Sequence, residues 1–365
     1  MNSPSYLKIN NGNQQCVIVF SSFAARDYGP LSFSYKAHFE KYAASSDFIF
    51  VKDVRNQWYN RPLPGLGDNV SEIAAGLREL TKGYRQLATF GSSMGGYASI
   101  LYGGMLGVDH IVALSPQTLL QEPLPRYSRK IHSGSYVDLS KLRPSPTSRY
   151  TVLVGEEELF DIYQVNRLLI EQGVAYGIVP NAAHNIVKFL DDRGELDLVV
   201  EEVCGGSRTG GIERLFRQFE TKTQISTRLM DAEFCSMLSA ATEMYYKDRA
   251  AAVPLLQRLS LLFPDWLGGM SKLGMCHFAA GDPDKAVALF QAVSSRSSSI
   301  DEFYLTYATH LARSGQAERA VEVAAKAARI ESSNKSIFLA VADILDGLNI
   351  ENVAKECRDR LSKIK

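Results

Sequence analysis

Short unbroken apolar runs alternate with amphipathic stretches over residues 1–205. The runs are CVIVFSSF (16–23), DFIFVKD (47–53), QLATFG (86–91), HIVALSP (110–116), YTVLVGE (150–156) and AYGIVP (175–180). Runs of this length and composition suit strands covered on both faces, as in a parallel sheet. Between them, NVSEIAAGLRELTKGY (69–84) and DIYQVNRLLIEQG (161–173) carry apolar residues at helical spacing. Asn69 or Ser71 is placed to cap the former, and Gly173 to end the latter. The alternation predicts an α/β domain with a doubly wound, mostly parallel sheet. Ligands of such sheets bind beyond the carboxyl ends of the strands.

The pattern changes at CGGSRTGG (204–211), after which helical spacing takes over and no strand run returns. The sequence therefore divides into an α/β domain over 1–205, a linker over 206–231 and an all-helical part over 232–365. That last part repeats. Ala252, Ala286, Ala320 and Ala354 stand 34 residues apart, and so do Ala240, Gly274, Ala308 and Ala342. Gly281 and Gly315 share a third register. Small residues at such points let two antiparallel helices approach closely. One pair cannot bury its apolar face alone, so pairs stack. Leu273, Gly274, Gly281, Ala286 and Phe290, with Pro264 closing the unit before, resemble the tetratricopeptide (TPR) repeat pattern. That resemblance implies a groove for a protein or peptide partner. The outer units match least, as capping repeats do.

Charge and composition narrow the partners. The 365 residues carry 40 basic and 40 acidic side chains. No global charge points to nucleic acid or an anionic membrane. The amino-terminal MNSPSYLKINNGNQQ lacks an apolar signal core, and no apolar run reaches the roughly 18 residues of a membrane span. Cys16, Cys204, Cys235, Cys276 and Cys357 are scattered with no CxxC pair, which suits reduced thiols in a cytoplasmic protein and offers no metal site. No cofactor motif is present.

The chemistry is concentrated in ATFGSSMGGYASILYG (88–103). Gly91-Ser92-Ser93-Met94-Gly95 fits G-x-S-x-G, with a strand run before it and a small-residue helix start after it. A serine on such a turn is held in strained backbone with its hydroxyl above the sheet, and its flanking glycines let strand and helix pass closely. Ser93 is then the nucleophile and Ser92 a bystander. A base and an acid must follow in the order serine, acid, histidine. The sequence GEEELFD supplies Asp161, with Glu157 and Glu158 as alternatives; Asp161 also reads as a helix cap. His184, in NAAHNI, is the one histidine of six just beyond the last strand run. His38 sits in an amphipathic stretch, His110 begins a strand, His132 precedes the acid, and His277 and His310 belong to the repeats. The oxyanion donors expected are the Met94 N–H and an N–H of Ser22 or Phe23 after the first run.

Residues 16–200 resemble the α/β-hydrolase superfamily through the elbow, the acid region and His184. More narrowly, WYNRPLPGLG (58–67), FGSSMGGYASILYG (90–103), ALSPQT (113–118) and HNIVKFLDDRGELD (184–197) resemble a bacterial group found near surface-polysaccharide and glycosyltransferase genes. The resemblance implies a serine esterase or deacylase, acting on an acylated carbohydrate or another small polar ester. An acyltransferase would use the same triad, and a binding or scaffold protein would use only the repeats. Trp58, Tyr59 and Gln117 leave strand ends and are candidates to line the substrate pocket, burial being the other outcome for the rings. About 35 residues separate Ser115 from Tyr150 and carry Arg126, Arg129, Lys130, Lys141, Arg143 and Arg149. They suit either a basic cleft or a solvated loop.

Overall fold

The computed structural model describes residues 5–23, 32–120, 136–142, 147–172, 176–179, 182–205, 232–264, 266–296, 303–330 and 336–363. Gly173, His132 and the 206–231 segment read as a linker lie outside them. The chain divides into two compact units, Met1–Ser239 and Ala240–Lys365.

The first unit is built on a seven-stranded sheet. Its strands are β1 (Tyr6–Ile9), β2 (Gln15–Phe20), β3 (Asp47–Val51), β4 (Gln86–Ser92), β5 (His110–Leu114), β6 (Arg149–Gly155) and β7 (Tyr176–Val179). Their spatial order is β1-β3-β2-β4-β5-β6-β7. Every pairing is parallel except β1 with β3. β2, β3 and β5 are buried at every position, as their continuous apolar runs require. The six strand runs all form strands. β1 was not anticipated: YLKI is four half-buried residues on the sheet edge, too short to show an alternation.

The chain leaves β2 toward β3 on one side and returns to β4 on the other. Connections leaving β2 and β4 therefore diverge, which opens a crevice at their carboxyl ends. The helices of this unit are α1 (Lys36–Glu40), α2 (Val70–Leu80), α3 (Met94–Leu106), α4 (Leu159–Gln172), α5 (Ile186–Asp192) and α6 (Leu196–Cys204). Asn69 caps α2, accepting from Glu72 N at 3.1 Å. α4 starts at Leu159, so Asp161 lies inside its first turn and is not the cap. α6 places Leu196, Val199, Val200 and Val203 in the core beside Val17, Phe48 and Phe90.

At the opposite end of the sheet, His110 Nε2 meets Thr151 Oγ1 at 2.9 Å and Nδ1 meets Arg149 Nη2 at 3.0 Å. Arg149 also pairs with buried Glu202 at 2.8 Å. Arg149, grouped by sequence with a basic cleft, thus opens β6 at the amino-terminal end of the sheet, away from the crevice. Burial, with Arg149 beside it, lowers the His110 pKa to about 4. Between the ordinary value near 6.5 and about 4, the unfolded chain binds a proton at this residue that the folded chain does not. Stability should therefore fall by about 3 kcal/mol as the pH drops through that window. His110→Gln should flatten this fall, as read by urea unfolding at pH 7 and pH 4.

The second unit is helical. The division between the units falls inside α7 (Ala232–Lys247), after which come α8 (Val253–Leu262), α9 (Leu267–Ala279), α10 (Pro283–Arg296), α11 (Tyr304–Arg313), α12 (Ala317–Ile330), α13 (Ser336–Gly347) and α14 (Glu351–Lys363). α9 packs on α10, α11 on α12 and α13 on α14. Ala252, Ala286, Ala320 and Ala354 are all fully buried. A Cβ on Gly274 would fall 2.5 Å from the Phe290 ring, so glycine there is what lets α9 and α10 close. Gly281 and Gly315 have φ of +80° and +78°, and Asn349, 34 residues on, has φ 59°. Asparagine tolerates the left-handed conformation, so the third turn keeps the register without a glycine. Among the described residues no helix is long and apolar enough to cross a membrane.

Candidate active site

The elbow forms where β4 ends and α3 begins. Ser93 has φ 54° and ψ −116°, a strained backbone for a residue with a Cβ. From Ala88 to Gly103 it is the one residue not buried. A Cβ on Gly91 would lie 2.1 Å from Gly95 O, and one on Gly95 would lie 2.3 Å from Phe20 O. The two glycines are therefore dictated by close backbone approach. The second approach also presses the end of β2 against the first turn of α3. Ser93 N donates to Leu114 O at 2.8 Å, which ties the turn to β5.

Three sequence candidates meet here. His184 Nε2 stands 3.0 Å from Ser93 Oγ. His184 Nδ1 stands 2.9 and 2.8 Å from the two Asp161 oxygens. Asp161 is wholly buried, while the His184 side chain keeps a quarter of its surface. Burial pushes the Asp161 carboxyl above the usual carboxylate range; the His184 imidazole and the nearby Ser115 hydroxyl oppose this. Glu157 and Glu158, the alternative acids, are buried at the same strand end. The His184 ring nitrogens are taken up by Asp161 and Ser93.

The amino end of α3 presents the N–H groups of Met94, Gly95 and Gly96, which have no intrahelical acceptor. Ser22 lies two residues beyond β2, and its hydroxyl donates to Ser92 O at 2.9 Å. Elbow and β2 loop are thus in contact, as a two-donor oxyanion site needs. Phe23 is 42% exposed, with its ring centroid 6.2 Å from that of Trp58.

Trp58, Tyr59 and Gln117 do not line an open pocket: each is at most 1% exposed. Trp58 Nε1 donates to Gln117 Oε1 at 2.7 Å, so the two close on each other. The Tyr59 hydroxyl donates to Ser21 O at 2.7 Å and Val51 O at 3.2 Å. It ties together the ends of β2 and β3. Phe23, by contrast, is an exposed ring among the described residues. Of the expected basic residues, Lys141 is solvated, and Arg126, Arg129, Lys130 and Arg143 lie outside the described residues.

Residues that carried no sequence signal hold these parts. The Asp53 carboxylate accepts from the N–H of Arg55, Gln57 and Tyr59 at 3.0, 2.6 and 3.0 Å. It fixes a turn in which Asn56, Trp58 and Tyr59 all have positive φ. Gln164, one turn after Asp161 on α4, accepts from Thr118 N and Leu119 N, both at 2.6 Å. Tyr59→Phe removes the tie that the hydroxyl makes on Ser21 O and Val51 O. It should lower stability by about 1–3 kcal/mol, as read by thermal melts.

Burial pushes the Cys16, Cys204 and Cys276 thiols up to about 12, away from the thiolate form at neutral pH.

No protein-family model matches the chain, and no curated protein does. Solved structures do. The capsule O-acetyltransferase of Neisseria meningitidis serogroup A matches at 16% identity and a TM-score of 0.42, over 55% of this chain and 93% of that one. The monoacylglycerol lipase of Paleococcus ferrophilus matches at 15% and 0.37, over 55% and 98%. A thermophilic esterase from Thermogutta terrifontis matches at 14% and 0.37, over 58% and 92%.

Proposed function

We propose that the chain is a serine hydrolase that cleaves a carboxylic ester through an acyl-enzyme. One observation carries the reading: the connected path from Ser93 Oγ through the His184 ring to buried Asp161, with steps of 3.0 and 2.8 Å. Nucleophile, base and orienter are all within proton-transfer reach. Asp161 holds Nδ1 as the protonated nitrogen, so Nε2 is free to accept the Ser93 proton. Ser93 Oγ adds to the acyl carbon. The resulting oxyanion is met by the Met94 N–H and by an N–H of Ser22 or Phe23. Collapse expels the alcohol, which takes the proton back from His184. A water, deprotonated by His184, then releases the acid.

The finer reading is an ester of a carbohydrate or another small polar alcohol, and it rests on the sequence resemblance. The repeats over 232–365 are read as a TPR-like array that recruits a protein or peptide. An alkyl fluorophosphonate should label wild-type protein at Ser93 and leave folded Ser93→Ala unlabelled. A folded wild type that resists the probe would overturn the hydrolase reading in favour of a binding protein. Product analysis with and without added sugar alcohols then separates hydrolysis from acyl transfer.

A further inference from the structure

The Ser22 side chain is engaged on both sides. Its hydroxyl bonds Ser92 O at 2.9 Å and makes a short hydrogen bond with the Tyr35 hydroxyl. A carbonyl oxygen only accepts, so the single Ser22 proton goes to Ser92. Tyr35 must therefore donate to Ser22. The result is a one-way relay, Tyr35 to Ser22 to Ser92, in which each hydroxyl polarises the next. Its two ends matter. Ser92 immediately precedes the nucleophile. Ser22 sits in the loop that supplies the second oxyanion donor.

Tyr35 is itself held in an unfavourable state. It has φ 66° in the left-handed region, which is costly for a bulky residue and persists only where the surroundings impose it. Its ring stands edge-on to Phe90 of β4, centroids 5.4 Å apart. Beside it, Ser34 N donates to Ser21 Oγ at 3.1 Å. Ser22 and Tyr35 are thus both drawn to the elbow strand.

We infer that the Tyr35 and Ser22 hydroxyls form a latch that sets the spacing between the two halves of the oxyanion site, making both residues positioning residues for acyl transfer. The inference rests on the hydrolase reading and deepens it. Without the latch, the Met94 N–H stays on α3 while the Ser22–Phe23 backbone drifts from it. Ground-state binding does not depend on that spacing; the transition state does.

Ser22→Ala, Ser22→Thr, Tyr35→Phe and the Ser22→Ala/Tyr35→Phe double variant test this with p-nitrophenyl acetate and with phenylboronic acid, a mimic of the tetrahedral intermediate. Ser22→Ala and Tyr35→Phe should each lower kcat about 10- to 100-fold with KM within about twofold. Boronate affinity should fall in parallel. Ser22→Thr, which keeps the hydroxyl, should restore most of the rate. The double variant should be no worse than the poorer single one, because the latch is one unit. The inference is overturned if kcat and boronate affinity stay at wild-type values while only the melting temperature falls, if KM alone rises, or if the two effects multiply. A wild type that neither binds boronate nor reacts with fluorophosphonate would instead remove the hydrolase reading, and this inference with it.

Discussion

Ser93→Ala is expected to lower kcat for a short ester by about ten-thousandfold or more, and His184→Ala to lower it to a similar level. In the proposed mechanism Oγ and Nε2, 3.0 Å apart, act as one proton-transfer unit. Once either is gone the other contributes little, and the double variant should be no slower than the single ones. What rate remains should come from the proposed N–H donors of α3 and the β2 loop. Asp161→Asn should also be severe, because an amide that donates to Nδ1 turns the ring to the wrong tautomer. A second readout runs the other way. Ser93 sits at φ 54°, where only glycine is unstrained. Ser93→Gly should be inactive yet more stable than wild type, by about 1 kcal/mol or more. Ester kinetics and urea unfolding on the same samples check both. Residual activity in Ser93→Ala equal to wild type would refute the nucleophile.

Legibility of this site in the sequence followed the range of the constraint. The elbow was legible because its glycine spacing is local: Gly91 faces Gly95 within five residues, while the approach of Gly95 to Phe20 O, from a distant strand, had no local signal of its own. Asp161 and His184 were legible through order along the chain, since parallel strands deliver their following loops to one edge. The supports were not. Tyr59 bonds Ser21 and Val51, and Tyr35 bonds Ser22, through contacts that no spacing announces. Trp58 and Gln117 were expected at a pocket because they follow strand ends. Such a residue can face the crevice or the layer behind it, and loops lack the period that would tell which. These two turned inward to meet each other. In the repeats, the register of Ala252, Ala286, Ala320 and Ala354 was legible because each of the four is buried; in the other register Ala308 and Ala342 are buried and Ala240, in the outermost unit, is exposed. The third left-handed turn was missed because Asn349 does there what glycine does in the two before it.

Gly155→Ala should cripple the same chemistry from a distance. Gly155 ends β6, and a Cβ there would lie 2.4 Å from both Ala182 O and Ala183 O. Those are backbone atoms and cannot swing aside as a side-chain tip can. The segment they belong to is already pinned, with Ala182 O accepting from Glu157 N at 2.9 Å and Val179 O from Glu156 N at 3.0 Å. The next residue is His184. Relief of the clash must move the loop that carries the imidazole, and a shift of about 1 Å there costs on the order of a hundredfold in rate. kcat and the fluorophosphonate labelling rate should therefore fall together by about that factor. Gly104→Ala is the matched control. It lies within α3, and the nearest atom to a Cβ there is Tyr150 Oη at 3.9 Å. Alanine is the better helix former, so this variant should keep wild-type kinetics and gain about 0.5–1 kcal/mol. Equal kinetics in the two variants would mean that the β6 end does not set the position of His184.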